Sequence, residues 1–298
     1  VITSGAGTTA WTATNGDTTF DAVVSPVVPG SVADKAQTAA VTDLNADSAD
    51  VNDTVTYTKV GSLVPSSSDG HFPGARPVVY PNDPSDATKV TPAGVPTVPG
   101  YTAHDPEGHV LTPGSSYQPS DPTKDTTITY TADQQEGSVS YVDDTTGKTL
   151  KTDSISGTTG SKSSYSTSGS IADYKKQGYA LVTDGYPADL TFDNDDTTDQ
   201  NFTVHLKHRL TPVNPTDPKT PGTPINPDEP DGPKWPTRTN YDKTVNETIS
   251  YVDQNGQVVA KQHTDSVNFT RTVVVDNVTG EVITSGAGTT AWTATNGD

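Results

Sequence analysis

"QNFTVHLKH", Gln200 to His208, alternates apolar and polar residues along its whole length. Phe202, Val204 and Leu206 fall on one side, and Thr203, His205 and Lys207 on the other. Successive strand side chains point to opposite faces, so the pattern predicts a strand with one face in a core and the other in water. Upstream, "GSVSYVDDTTGKTLKTDSI", Gly137 to Ile155, sets Val139 and Tyr141 on one side of the turn residues "DDTTGK" and Leu150 on the other, a β-hairpin signature. Between hairpin and strand lies "SGSIADYKKQGYALVTDGYP". Ser170 suits a helix N-cap, Ile171 and Tyr174 share a helical face, and Gly178 is a natural left-handed stop. "YALVTD" then reads as a strand. Two strands, one short helix and two strands bury one face of each most economically as a single sheet with the helix across it, a β-grasp-like (ubiquitin-like) arrangement.

Further outward, the grammar repeats. "ISYVDQNGQVV", Ile249 to Val259, parallels the first hairpin, and "FTRTVVVDNVTGEVI", Phe269 to Ile283, predicts a second with "DNVTGE" at its tip. The seventeen residues "VITSGAGTTAWTATNGD" occur twice, as Val1 to Asp17 and as Val282 to Asp298. Such identity marks a tandem array. The expectation is one full period plus an overlap, with a larger domain divided so that residues 237–298 are its first half and residues 1–65 the second half of a preceding copy. The divided halves would close on each other, within the chain or head-to-tail between chains. Prolines recur every third residue from Pro212 to Pro236. Polyproline II has three residues per turn, so this stretch predicts a spacer rod of roughly 78 Å. The second Pro-rich region, with prolines from Pro65 to Pro122, ends on "DTTITYTAD" and predicts a short extended β module. The expected organisation is thus 1–65, 66–135, 136–209, a linker at 210–236, and 237–298: mainly β with minor α, in tandem elongated modules.

Composition excludes several functions. The 298 residues include no Cys and no Met, so disulfides and thiol chemistry are absent. Hydrophobic residues are 30% of the chain, which implies several small cores. With 37 acidic against 18 basic residues the formal charge is −19, a field that repels nucleic acid and anionic lipid. No apolar run approaches the ~20 residues of a membrane span.

"YVDDTTGKTL", "DGYPADLTFDNDDTTDQNFTVHLKH", "TRTNYDKTVNETISYVDQNGQVV", "FTRTVVVDNVTG" and "WTATNGDTTFDAVVSPVVPG" resemble the mucus-binding (Mub) repeats of lactobacillus cell-surface adhesins. The resemblance implies a small β-grasp-like domain followed by a larger MucBP-type domain, repeated along a Gram-positive, cell-wall-anchored stalk whose anchor lies outside this sequence. It implies non-covalent, multivalent binding of host mucin glycoproteins, with immunoglobulin as another partner. A purely structural stalk segment is the alternative.

Catalytic signatures are missing. The six histidines show no HExxH spacing, no GxSxG occurs, and no cofactor is required. His205 and His208 read as a surface pair. "FDNDDTTDQ" supplies Asp193, Asp195, Asp196 and Asp199, either a loop of oxygen ligands for calcium or a solvated acidic turn. Glycan recognition would use aromatic faces. Tyr186, in the turn "DGYP", and Trp292 are the candidates, although Trp292 and its copy Trp11 equally suit a core anchor. Lys243, Asn246 and Glu247 have the residue types of a Lys–Asn isopeptide cross-link but are adjacent in sequence.

Overall fold

The computed structural model describes residues 1–295, in two compact units. The last three residues of the second seventeen-residue copy, 296–298, lie outside them. The chain is β-rich with one α-helix among the described residues.

The first unit comprises residues 1–135 with 158–161 and 191–198. Strands β1 (Ser31–Ala33) and β2 (Tyr57–Lys59) form an antiparallel pair. A five-stranded sheet runs in the order β4-β3-β9-β6-β7, from β3 (Ser62–Ser66), β4 (Val78–Val79), β6 (Tyr101–His104), β7 (Val110–Leu111) and β9 (Thr126–Ala132). β5 (Ala93–Gly94) pairs separately with β8 (Ser116–Tyr117). β9 alternates as its sequence requires: Ile128 and Tyr130 are fully buried and their neighbours face outward. They pack with Leu63, Tyr80 and Ala93, with Val32 from β1, and with Val60 just after β2. The boundary expected at residue 65 therefore falls inside β3, because Leu63 fills this core and β3 runs parallel to β9. The Pro-rich region is a packed module, not merely extended. Besides β1 and β2, residues 18–61 hold the bridges Phe20–Val41 and Val24–Gln37.

The second unit comprises residues 136–157, 162–190 and 199–298. Its first sheet has the order β11-β10-β13-β12, from β10 (Gln134–Asp143), β11 (Lys148–Thr158), β12 (Tyr179–Asp184) and β13 (Gln200–His208). β10 and β13 are parallel central neighbours, and helix α1 (Ser168–Lys176) lies between β11 and β12 in sequence. This is the β-grasp order. Val139, Tyr141, Val204 and Leu206 are wholly buried, as the alternation in the sequence required. One detail differs. The helix begins two residues before the expected cap: Thr167 is the N-cap, and Ser170 sits in the first turn, where its Oγ accepts from Lys151 Nζ. Thr167 is held instead by its hydroxyl, which donates to Asp184. Gly178 ends the helix at φ +99°, and a Cβ there would lie 2.4 Å from the Asn277 carbonyl oxygen.

Two three-stranded sheets follow. β14 (Leu210–Val213), β17 (Val273–Asp276) and β18 (Val282–Ile283) form one; β15 (Asp242–Val252), β16 (Val258–Thr270) and β19 (Thr293–Ala294) form the other. Both expected hairpins are present, β15–β16 turning at Asp253–Gly256 and β17–β18 with Val275 opposite Val282. The expected proline rod is not. Pro212 lies in β14, an edge strand, where a missing N–H is tolerated. Residues 222–235 fold back on themselves: Ile225 N–H donates to the Pro233 carbonyl and Trp235 N–H to that of Thr223. Ile225 and Trp235 join Val213, Tyr241, Val273 and Val275 in a core. A polyproline II helix keeps its backbone solvated. Here the N–H groups of Gly222, Ile225, Glu229 and Trp235 find carbonyls, and burial of Ile225 and Trp235 outweighs extension.

Candidate functional site

The β-grasp sheet carries a half-buried aromatic cluster. Tyr186, in the turn after β12, meets Tyr165 edge-on with ring centroids 5.3 Å apart, and Phe202 of β13 at 5.5 Å. Tyr186 is fixed at both ends: its N–H donates to Asp184 Oδ1 at 3.0 Å and its hydroxyl to Ser163 Oγ at 2.6 Å. Tyr165 donates to Asp153 Oδ2 at 2.7 Å and its hydroxyl oxygen lies 2.5 Å from that of Tyr141. Burial first, and then these two hydrogen bonds, push the Tyr165 hydroxyl up, so it stays a neutral donor. Asp153 is held below the usual carboxylate range by Tyr165 and, against the cost of burial, by Lys151 Nζ at 3.1 Å. The result is a set of locked, partly exposed rings with an ion pair and hydroxyls beside them. Such a surface offers apolar ring faces together with fixed donors and acceptors, which suits a polyhydroxylated ligand.

The other expected residues are dispersed. Trp292 is half-buried between cations, with Arg271 4.4 Å and Lys243 5.4 Å from its ring. Its copy Trp11 is 87% exposed. Lys243 is therefore engaged with Trp292, while Asn246 faces Ser266 and Glu247 faces Asp265 across the hairpin. The acidic run does not converge. The Asp195 N–H donates to Asp193, and Asp195 accepts from Thr197, which lowers its pKa. Asp196 accepts from Gln135 at 2.6 Å and hydrogen-bonds Asp133, whose carboxyl burial raises; the Thr102 hydroxyl opposes that rise and Asp196 adds to it. Among the described residues, the group with three ligand atoms within 4.8 Å of one another is elsewhere, at Asp105, Glu107 and His109 in the β6–β7 turn. There Asp105 Oδ1 already accepts from the Glu107 and His109 amides.

His208 corrects a second expectation. It is not a surface residue. Its side chain is 5% exposed, with Nε2 2.6 Å from Asp143 Oδ2 and Nδ1 2.7 Å from Asp276 Oδ2. Tyr179 packs edge-on against the ring at 5.3 Å. Burial opposes the imidazolium, but the two carboxylates together raise its pKa above the ordinary value. No sequence signal pointed to this arrangement, since Asp276 lies 68 residues downstream.

A family model described as "Mucin binding domain" matches residues 135–208, and one described as "Muc B2-like domain" matches residues 1–61 and 236–298. No curated protein matches the chain. Several solved structures do, among them the following two. "Crystal structure of Mub-RV" is 36% identical, with 54% of this chain and 73% of that chain covered and a TM-score of 0.40. "Type 2 repeat of the mucus binding protein MUB from Lactobacillus reuteri" is 35% identical, with 53% and 74% covered and a TM-score of 0.37.

The chain belongs to the Mub repeat family. Within this Mub chain the first family match coincides with the four-stranded sheet and its helix, so the aromatic cluster lies inside it. The second match takes in β15 to β19 and the segment ending after β2. His208 and Asp143 from the first match meet Asp276 from the second, so one buried ion triad ties the two Mub domains.

Proposed function

We propose that this Mub repeat is an extracellular adhesin segment that binds mucin glycoproteins through their glycans, at the Tyr165–Tyr186–Phe202 cluster. The single observation that carries the reading is this half-exposed, rigidly held aromatic set within the residues matched as a mucin binding domain. The flanking Lys151–Asp153 pair and Ser163 supply the polar contacts a sugar needs. Binding per module is weak, and tandem copies add strength through effective concentration.

The experiment is surface binding of the chain to mucin before and after deglycosylation, with Tyr186→Ala and Phe202→Ala alongside. Intact mucin should bind, and deglycosylated mucin should not. Each substitution should cost at least about 1 kcal/mol, roughly fivefold in affinity, as for a central contact residue. Unchanged binding to deglycosylated mucin would assign the chain to a protein ligand such as immunoglobulin. Failure to bind either form would leave it a structural stalk segment.

A further inference from the structure

The first unit holds a cleft of about 210 Å³ beside the hairpin β6–β7. Val95, Pro96 and Val98 from the chain before β6, and Val110 and Leu111 from β7, give it apolar walls. Neither family match reaches these residues. Pro96 is fixed by Tyr130, whose hydroxyl donates to its carbonyl. Two carboxyl groups share the cleft with these walls, Asp133 and Asp196.

Both carboxyls are held in place. The Asp133 N–H donates to the Gly100 carbonyl at 2.8 Å, its carbonyl accepts from the Thr159 N–H at 3.0 Å, and its Oδ1 accepts from the Thr102 hydroxyl. Asp196 Oδ1 accepts from Gln135 Nε2 at 2.6 Å, and that buried amide also donates to Thr159 Oγ1 at 3.1 Å. Gly100 lets the loop carrying Asp196 close in, since a Cβ there would lie 2.8 Å from the Asn194 Cβ. Asp133 and Asp196 hydrogen-bond each other, and two carboxyls in such contact share a proton. Among the described residues, the charged groups facing Asp133 are Asp196 and His104; no lysine or arginine neutralises the pair.

An apolar cleft that carries paired acids without a cation is complementary to an apolar stem that carries one. The volume lies below the ~300–1,000 Å³ of sites for drug-sized ligands, so the cleft takes a single side chain. One oxygen of each carboxyl is already engaged, by Thr102 and by Gln135, so neither offers both oxygens to the planar fork of an arginine. An ammonium is a point charge with three rotatable donors and fits separate acceptors. We propose that this cleft binds a lysine side chain of a partner polypeptide, with the stem against Val98 and Leu111 and the ammonium between Asp133 and Asp196. Entry of the cation favours both carboxylates, so the shared proton leaves for solvent. The formal charge of −19 draws basic partners toward the chain. None of these residues belongs to the aromatic cluster, and the contact needs no glycan.

The test is titration of the full chain with a blocked Gly-Lys-Gly peptide, followed by NMR of valine and leucine methyl groups. Saturable shifts are expected at Val95, Val98, Val110 and Leu111. The same peptide with norleucine in place of lysine keeps the stem and lacks the ammonium. It should bind at least about tenfold more weakly, the loss of one charge-assisted hydrogen bond. Asp196→Asn keeps an acceptor for Gln135 and removes a charge, so it should weaken the lysine peptide by a similar factor while methyl signals outside the cleft stay in place. Burial raises the Asp133 carboxyl, so affinity should climb with pH as that proton is lost, with proton release on binding below the raised value. Equal affinity for the lysine and norleucine peptides, or binding unchanged by Asp196→Asn, would overturn the proposal. So would saturation by free pentylamine with none by the lysine peptide.

Discussion

Replacing His208 by Gln should loosen the connection between the two family-matched domains. His208 donates from both ring nitrogens to carboxylates that are themselves buried, with Asp143 3% and Asp276 8% exposed in their side chains. Gln keeps a single amide donor group and no charge, so both carboxylates lose their cation and at least one also loses its hydrogen bond. Removing one member of a buried ion pair costs about 3–5 kcal/mol, and the retained amide places this variant at the lower end. The pH dependence has a definite sign. The His208 pKa is raised on folding, so its contribution is complete below the ordinary imidazole value of about 6.5 and is lost as pH rises through the raised value. Burial works against the Asp143 carboxylate, but His208, Thr146 and Thr145 together lower its pKa. Its contribution is present above about 3.9 and is lost as pH falls through the lowered value. The wild-type connection is therefore firmest between these limits. The assay is hydrogen exchange with mass-spectrometric readout of β14 and β17, whose amides lie beside the triad, corrected for intrinsic rates. Wild type should lose protection above the raised His208 pKa, and the Gln variant should show low protection with little slope. Equal protection and equal slope in the two proteins would refute the reasoning.

Three further outcomes follow from particular residues. Ile225→Ala should destabilise the sheet β14-β17-β18 by about 2–5 kcal/mol, read by urea denaturation monitored at Trp235, whereas a solvated spacer would be indifferent. Gly178→Ala meets both a positive φ and a backbone carbonyl 2.4 Å from the new Cβ, so it should cost more than about 1 kcal/mol and lower the thermal midpoint. Titration with millimolar calcium should give no site-specific heat from Asp193, Asp195, Asp196 and Asp199. Two of them serve as turn caps and a third is bonded to Gln135.

What the sequence made legible was local. The alternation of Gln200 to His208 fixes which of its faces is buried, the turn residues of three hairpins bring together strands that are neighbours in sequence, and those elements stand where expected. The helix starts before Ser170 because the Thr167 hydroxyl is held by Asp184 of the next strand, a contact that nothing local in the sequence marks. The Pro212 to Pro236 run satisfies polyproline II at every third position. Only the distant cavity between Val213, Tyr241 and Val273 makes folding back the better solution for Ile225. His208 was unreadable for the same reason, since half of its environment comes from β17. Tyr186 was named as a surface ring, but its neighbours Tyr165 and Phe202 lie 21 and 16 positions away, and nothing local marks the three as a set.

The parallel pairing of β10 with β13 has a mechanical consequence. These strands begin and end the β-grasp domain, and the seven facing pairs from Gly137–Gln200 to Asp143–Leu206 run side by side in one direction. A pull on the chain drags the start of β10 and the end of β13 oppositely along their common axis. The load then falls on all the cross-strand hydrogen bonds at once, in shear, and they cannot open singly as in a hairpin peeled from its tip. The strand order that gives the domain its core also makes it a link built to carry tension.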